Sequence, residues 1–259
     1  GKLTALPTIG TYYVSYNVNK KPLDDPRVRE ALTLAIDRKA IVENVTKGGE
    51  VPAGAFVPYG LPDKDVSDDF RKICGDYYDP GKADAKKARQ LLSDAGYPDG
   101  KGFPKLSYTF NTGEGHKQIG EALQQMWKKN LGIDIELKQE EWNVFLDTRK
   151  QGNYDIARDG YISDYVDPLG MLELLDTDNV NNNSHWSNKQ YDSFIATARS
   201  KADTNVRMDA MHKADALLMK EYPVGPLYFY TENIVVRPGL KGYIASPLKF
   251  NFFRYASWE

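Results

Sequence analysis

The chain has 259 residues, 41% hydrophobic and 27% charged, enough apolar material for one large core and too much for a disordered chain. With 34 basic against 36 acidic residues it carries no basic field that could drive nucleic-acid binding. A single cysteine, Cys74, excludes an internal disulfide and a cysteine-based zinc site, and no apolar run reaches the ~18 residues a membrane span needs.

Residues 1–4 lack the charged and apolar regions of a signal peptide and read as a cut or mature end. Thr11 to Val18, rich in β-branched and aromatic residues, predicts a strand. Asp25-Pro26 opens a helix, with Asp25 as cap, Pro26 at the first helical position and Val28, Ala31, Leu32 and Ala35 following at helical spacing. Asp37 caps a second helix that Gly48-Gly49 stops. Residues 51–80 show no period and predict a long irregular segment. A helix over 83–95 follows, with Ala88, Leu91, Leu92 and Ala95 on one face.

The next stretch alternates strands and helices. Leu106 to Asn111 reads as a strand and Glu114 to Leu131 as a helix ended by Gly132. Ile133 to Lys138 is a strand, and Glu141 to Lys150 a helix with Trp142, Phe145 and Leu146 inward. A strand from Tyr154 ends near Ala157, before a glycine turn at Gly160. Helices over 189–200 and 205–221 precede strands over 225–230 and 234–236 and an apolar terminal strand over 250–255. The alternation predicts an α/β fold, a mixed central sheet flanked by helices.

No G-x-S-x-G, H-E-x-x-H or phosphate-loop motif is present, so no nucleophile motif supports a hydrolase. The three histidines, His116, His185 and His212, lack the spacing of a helical metal site, and no metal is expected. His116 falls at a helix N-terminus, where free N–H groups favour anions and it can help hold a carboxylate. The segment Tyr154 to Pro168, YDIARDGYISDYVDP, is the most informative. Arg158 and Asp164 stand six residues apart, interleaved with Tyr161 and Tyr165, just past a strand end, where α/β folds place their ligands. An arginine clamps a carboxylate and an aspartate accepts from an ammonium, which suits a zwitterion such as a peptide; a plain Arg158–Asp164 surface pair fits the same residues.

Four stretches carry a resemblance: Tyr12 to Val45, with its V-R-x-A-L and A-I-D-R patterns, Trp127 to Pro168, Trp186 to Ala198 and Pro226 to Tyr243. Together they resemble the oligopeptide/dipeptide class (family 5) of extracellular solute-binding proteins that feed ABC importers. The resemblance implies a periplasmic-binding-protein-like fold of type II, cluster C, binding short peptides without a cofactor and delivering them to permease subunits. It implies an extracytoplasmic place, in the periplasm or as a surface lipoprotein. Such proteins have two lobes, and this chain matches the C-terminal one, with the N-terminal lobe of the same protein as its missing partner. Residues 1–10 are then a remnant of the other lobe, 11–237 the peptide-binding lobe, and 238–259 a return segment for the other lobe's sheet. Residue by residue, the resemblance puts Asp164 against the peptide's ammonium, and Arg158 against a carboxylate of the ligand or lobe. Tyr161 becomes an aromatic wall, Arg149 and His116 sit near peptide C-termini, and Tyr13 and Tyr230 face the cleft at the hinge. The same scaffold also serves binders of nickel chelates, haem, glutathione and sugars, which stay open as alternatives.

Overall fold

The computed structural model describes residues 2–259. Strand β1 (Lys2–Tyr16) leads through a loop to α1 (Pro26–Leu34), where Asp25 accepts from the Arg27 N–H as the predicted cap. Asp37 caps α2 (Arg38–Ile41) by accepting from the Ala40 N–H. The turns that continue it close at Lys47, in the left-handed region, one residue ahead of the predicted glycines. The segment predicted as irregular contains β2 (Val51–Pro52) and α3 (Phe70–Cys74). It is followed by α4 (Ala85–Asp94), β3 (Leu106–Asn111), α5 (Glu114–Leu131), β4 (Ile135–Glu140), α6 (Trp142–Lys150) and β5 (Ile156–Ile162). The chain then forms α7 (Leu169–Leu172), α8 (Lys189–Ser200), α9 (Thr204–Glu221) and β6 (Val224–Val236). It ends in four two-residue strands, β7 (Leu240–Lys241), β8 (Ile244–Ala245), β9 (Asn251–Phe252) and β10 (Ser257–Trp258).

One six-stranded sheet organises the fold, in the order β2-β6-β1-β5-β3-β4. Its β2, β6, β1 and β5 pair antiparallel, while β3 is parallel to both β4 and β5, so the sheet is mixed. Helix α5 returns the chain from β3 to β4, and α6 carries it from β4 past β3 to β5. The two helices lie on opposite faces. Ile119, Leu123 and Trp127 of α5 join Tyr12, Val14 and Tyr16 in one core, with Val28, Ala31 and Leu32 of α1. Phe145 of α6 packs with Tyr154 and Ala157 on the other face, where a second core gathers Ile9, Tyr13 and the apolar sides of α7, α8 and α9. Each such buried side chain contributes about 1.5–3 kcal/mol. Trp127 is fully buried, and its indole N–H donates to the Leu32 carbonyl at 2.8 Å, which meets the cost of burying a polar atom.

Four expectations change. β5 does not turn at Gly160 but runs through it to Ile162, because β1 pairs with it from Tyr16 to Gly10. The two strands expected after α9 are one, because β1 pairs with it from Ser15↔Val224 to Lys2↔Val236, with register shifts between Tyr12 and Tyr13 and between Pro7 and Thr11. Trp142 and Leu146 are exposed, and only Phe145 of that trio is buried. The apolar tail forms only β9, paired with β8, and Phe250, Phe252, Phe253 and Tyr255 are each more than half exposed. No described helix is long and apolar enough to cross a membrane.

Candidate binding site on strand β5

Side chains alternate along a strand, and residues opposite each other in an antiparallel pair share a face. The register Val14↔Arg158, Tyr13↔Asp159, Tyr12↔Gly160, Thr11↔Tyr161 therefore splits the informative segment. Arg158 and Gly160 lie on the face of Tyr12. Asp159 and Tyr161 lie on the face of Tyr13.

On the first face the half-buried Arg158 guanidinium lies 5.2 Å from the centre of the Tyr12 ring. Tyr12 stacks on Tyr228 at 4.9 Å and meets Tyr230 edge-on at 6.2 Å. Its hydroxyl sits 3.1 Å from His116 Nδ1, at the third position of α5. Among the described residues no carboxylate lies within ion-pair distance of Arg158, and its buried Nε has no hydrogen-bond partner. Burial opposes the charge on Arg158, but the facing Tyr12 and Tyr230 oxygens and nearby Asp159 hold it protonated, with its pKa above the ordinary arginine value. Burial, reinforced by the Arg158 charge, pushes His116 down to about 4, and burial pushes Tyr12 up to about 12. At neutral pH the cluster is thus one cation amid neutral aromatic groups.

The second face is closed by its own pairing. Arg149 Nη1 lies 2.5 Å from Asp159 Oδ1, with both side chains buried. Asp159 also accepts from Asn183 Nδ2 and from the Gly160 N–H, each at 2.8 Å. Arg149 lies 4.6 Å over the Phe145 ring. Arg149, which the resemblance places near peptide C-termini, is packed by α6 under the sheet against the acid next to Arg158. Tyr13 is likewise not on the face of Tyr230. It is 3% exposed and packs edge-on against Phe56 at 5.2 Å. Burial, with Asp159 close by, raises its pKa well above the ordinary tyrosine value.

Past the end of β5, Asp164 is exposed, with the Tyr161 hydroxyl 3.5 Å from its Oδ2. Burial and that nearby acid raise the Tyr161 pKa. Ser163 anchors the turn, its N–H donating to the Ile9 carbonyl at 2.8 Å. The plain Arg158–Asp164 pair that the residues also allowed is not formed. Four strand steps, roughly 13 Å, carry β5 from Arg158 to Ile162, and Asp164 lies two residues further on, past the strand end. His116 and Tyr230 do join Arg158, while Tyr12, Tyr228, Asp159 and Asn183 belong to the arrangement and were not singled out. Tyr12 and Tyr13 are adjacent, and only register tells which one faces the site. Among the described residues no group of three or more His, Cys, Asp or Glu is placed to hold a metal.

Residues 2–183 match the model of the bacterial extracellular solute-binding proteins, family 5, middle region. The chain belongs to that family. This family 5 chain is 36% identical over 248 residues to the dipeptide-binding protein DppE of Bacillus subtilis, covering 95% of this chain and 45% of DppE. It is also 36% identical to the periplasmic murein peptide-binding protein MppA of Escherichia coli, covering 94% of this chain and 44% of MppA. The solved structure of Escherichia coli murein tripeptide-binding protein MppA superposes with a TM-score of 0.80 at 35% identity, covering 96% of this chain and 47% of that one. Haemophilus influenzae OppA in complex with the peptide RPPGFSPFR gives a TM-score of 0.82 at 29% identity, over all of this chain and 50% of that one. The α/β architecture with its mixed sheet is thus the one found in family 5 binding proteins, and the chain spans about half the length of these relatives.

Proposed function

We propose that the chain is the C-terminal, ligand-contacting lobe of a peptide-binding protein serving an ABC importer, a binder and not an enzyme. The observation that carries this reading is the separation of two uncompensated charges on one strand and its turn. Arg158 lacks a carboxylate partner, and Asp164 stands exposed beyond the strand end. A zwitterionic peptide offers the complementary pair, its carboxylate to Arg158 and its ammonium to Asp164. Neutral His116 and the hydroxyls of Tyr12 and Tyr230 supply further polar contacts beside Arg158, and Tyr161 an aromatic wall beside Asp164. The names of the relatives, which bind dipeptides, murein peptides and oligopeptides, support the ligand class.

In this reading residues 1–10 and 238–259 serve the other lobe and 11–237 form the lobe described. The two hinge crossings fall near Thr11 to Val14 in β1 and near Tyr230 to Ile234 in β6. A ligand touching both lobes stabilises closure, so this lobe by itself binds peptide far more weakly than the two-lobed protein, which works outside the cytoplasm and passes peptide to permease subunits. Arg149 acts through Asp159 and the β5 backbone, and Tyr13 through the packing beneath it.

Calorimetric titration of trialanine, N-acetyl-trialanine and trialanine amide into the two-lobed protein tests the assignment. Acetylation should lose affinity in the wild type but not further in Asp164→Asn. Amidation should lose it in the wild type but not further in Arg158→Met. Each lost charge-assisted contact amounts to about 1.5–3 kcal/mol, at least tenfold in affinity. Indifference of the wild type to both modifications, with tight binding of an uncharged sugar, sinks the peptide reading.

A further inference from the structure

Gly160 lies on β5 between Arg158 and Ile162, on the face that carries Tyr12. Its φ is not in the left-handed region, so the backbone does not require glycine there. Space does. A methyl group on its α-carbon would overlap the Tyr230 hydroxyl oxygen and stand 3.3 Å from that ring's Cζ. β1 separates β6 from β5 in the sheet, so the Tyr230 ring reaches across a strand to set its oxygen on Gly160. It passes edge-on to Tyr12 at 6.2 Å and to Tyr228 at 5.7 Å. There the hydroxyl feels the Arg158 charge, which works against the rise that burial causes in its pKa.

We propose that Gly160 is a positioning residue for the Arg158 anion site: its missing side chain seats the Tyr230 hydroxyl, and Tyr230 with Tyr12 orients the guanidinium toward an incoming carboxylate. The proposal rests on the reading of Arg158 as ligand-facing. Its chemical logic lies in the choice of orienting groups. A carboxylate beside Arg158 would fix its geometry and cancel its charge, as Asp159 does for Arg149. Phenol oxygens accept from N–H groups and present an aromatic face, yet remain neutral at physiological pH. Set beside the guanidinium, they leave its full charge for the ligand.

The substitution Gly160→Ala must push the Tyr230 oxygen away by on the order of 1 Å to reach ordinary contact. Tyr230→Phe removes the colliding atom and makes room for the methyl group. The test uses this 259-residue chain, labelled with nitrogen-15, and follows the Arg158 Nε–H resonance and its exchange with water. Without ligand, Gly160→Ala should shift that resonance and speed its exchange. Adding Gly160→Ala to Tyr230→Phe should change little beyond Tyr230→Phe alone. In the two-lobed protein, the dissociation constant for N-acetyl-trialanine, a carboxylate without an ammonium, should rise about tenfold in Gly160→Ala. If Gly160→Ala fails to fold, folding of the double variant supports the steric link and its failure to fold counts against it. A resonance unmoved by Gly160→Ala, or moved equally in the Tyr230→Phe background, overturns the proposal. A wild-type two-lobed protein that ignores the probe overturns the anion-site reading itself, whereas equal probe affinities in wild type and Gly160→Ala overturn only the role of Gly160.

Discussion

Arg149 and Asp159 form a buried ion pair at 2.5 Å, while Arg158, the residue adjoining that aspartate, has no acid of its own. Strand alternation makes the difference. The acid points under the sheet to α6 and the arginine points over it to a layer of tyrosines. One cation is paired within the fold and, among the described residues, the other has no acid partner.

Breaking the buried pair should be costly. Asp159→Ala strands the Arg149 charge among Phe145 and the sheet, and should cost about 3–5 kcal/mol in urea unfolding. Replacing both partners, Arg149→Met with Asp159→Leu, should cost less than either single change, because no buried charge remains. A double variant as unstable as the sum of the two would contradict this account.

Arg158→Met should behave in the opposite way. Its Nε is buried without a partner and its charge is half desolvated. The apolar replacement should therefore leave the urea midpoint unchanged or raise it, by up to about 1–2 kcal/mol. A loss of more than about 1 kcal/mol would show that Arg158 serves the fold.

His116 predicts a specific pH dependence. Its pKa falls from 6.5 to about 4 on folding, through burial and then the Arg158 charge. Above pH 6.5 the imidazole is neutral in both states and adds no slope. Between 6.5 and 4 the unfolded chain binds a proton that the folded chain resists, so stability falls as pH falls. The ring is only partly buried, so solvent screening reduces the effect to on the order of 1 kcal/mol. Urea midpoints across this range should fall less steeply in His116→Gln; equal slopes would place the proton elsewhere.

A second buried pair, between α3 and α9, gives a control. Arg71 Nη2 lies 2.7 Å from Asp215 Oδ2, both fully shielded, and the Tyr77 hydroxyl donates to the same carboxylate at 2.7 Å. Asp215→Asn should cost about 3–5 kcal/mol, and Tyr77→Phe about 1–2 kcal/mol. Neither should shift the Arg158 Nε–H resonance at temperatures where the chain stays folded.

Much of the scaffold was legible in local chemistry. Asp25 and Asp37 cap their helices, Gly132 ends α5 in the left-handed region, and β3 and α8 span the residues that their patterns predicted. The errors share one cause. Gly160 reads as a turn because glycine usually breaks a strand, but here it makes room for Tyr230, a residue 70 positions away. Trp142 and Leu146 read as inward because α6 is amphipathic over a wider arc than the sheet covers.

The sequence by itself determined most of the helices and the inner strands, the α/β class, and the presence of an arginine, an aspartate and aromatic residues in one short segment. These depend on periodicity, caps and composition, all properties of neighbouring residues. Only the tertiary structure decided which charges are satisfied and which are open. That depends on the face each side chain takes in the sheet. The face follows from pairing β5 with β1 and β1 with β6, contacts between residues 140 to 234 positions apart that no local pattern encodes.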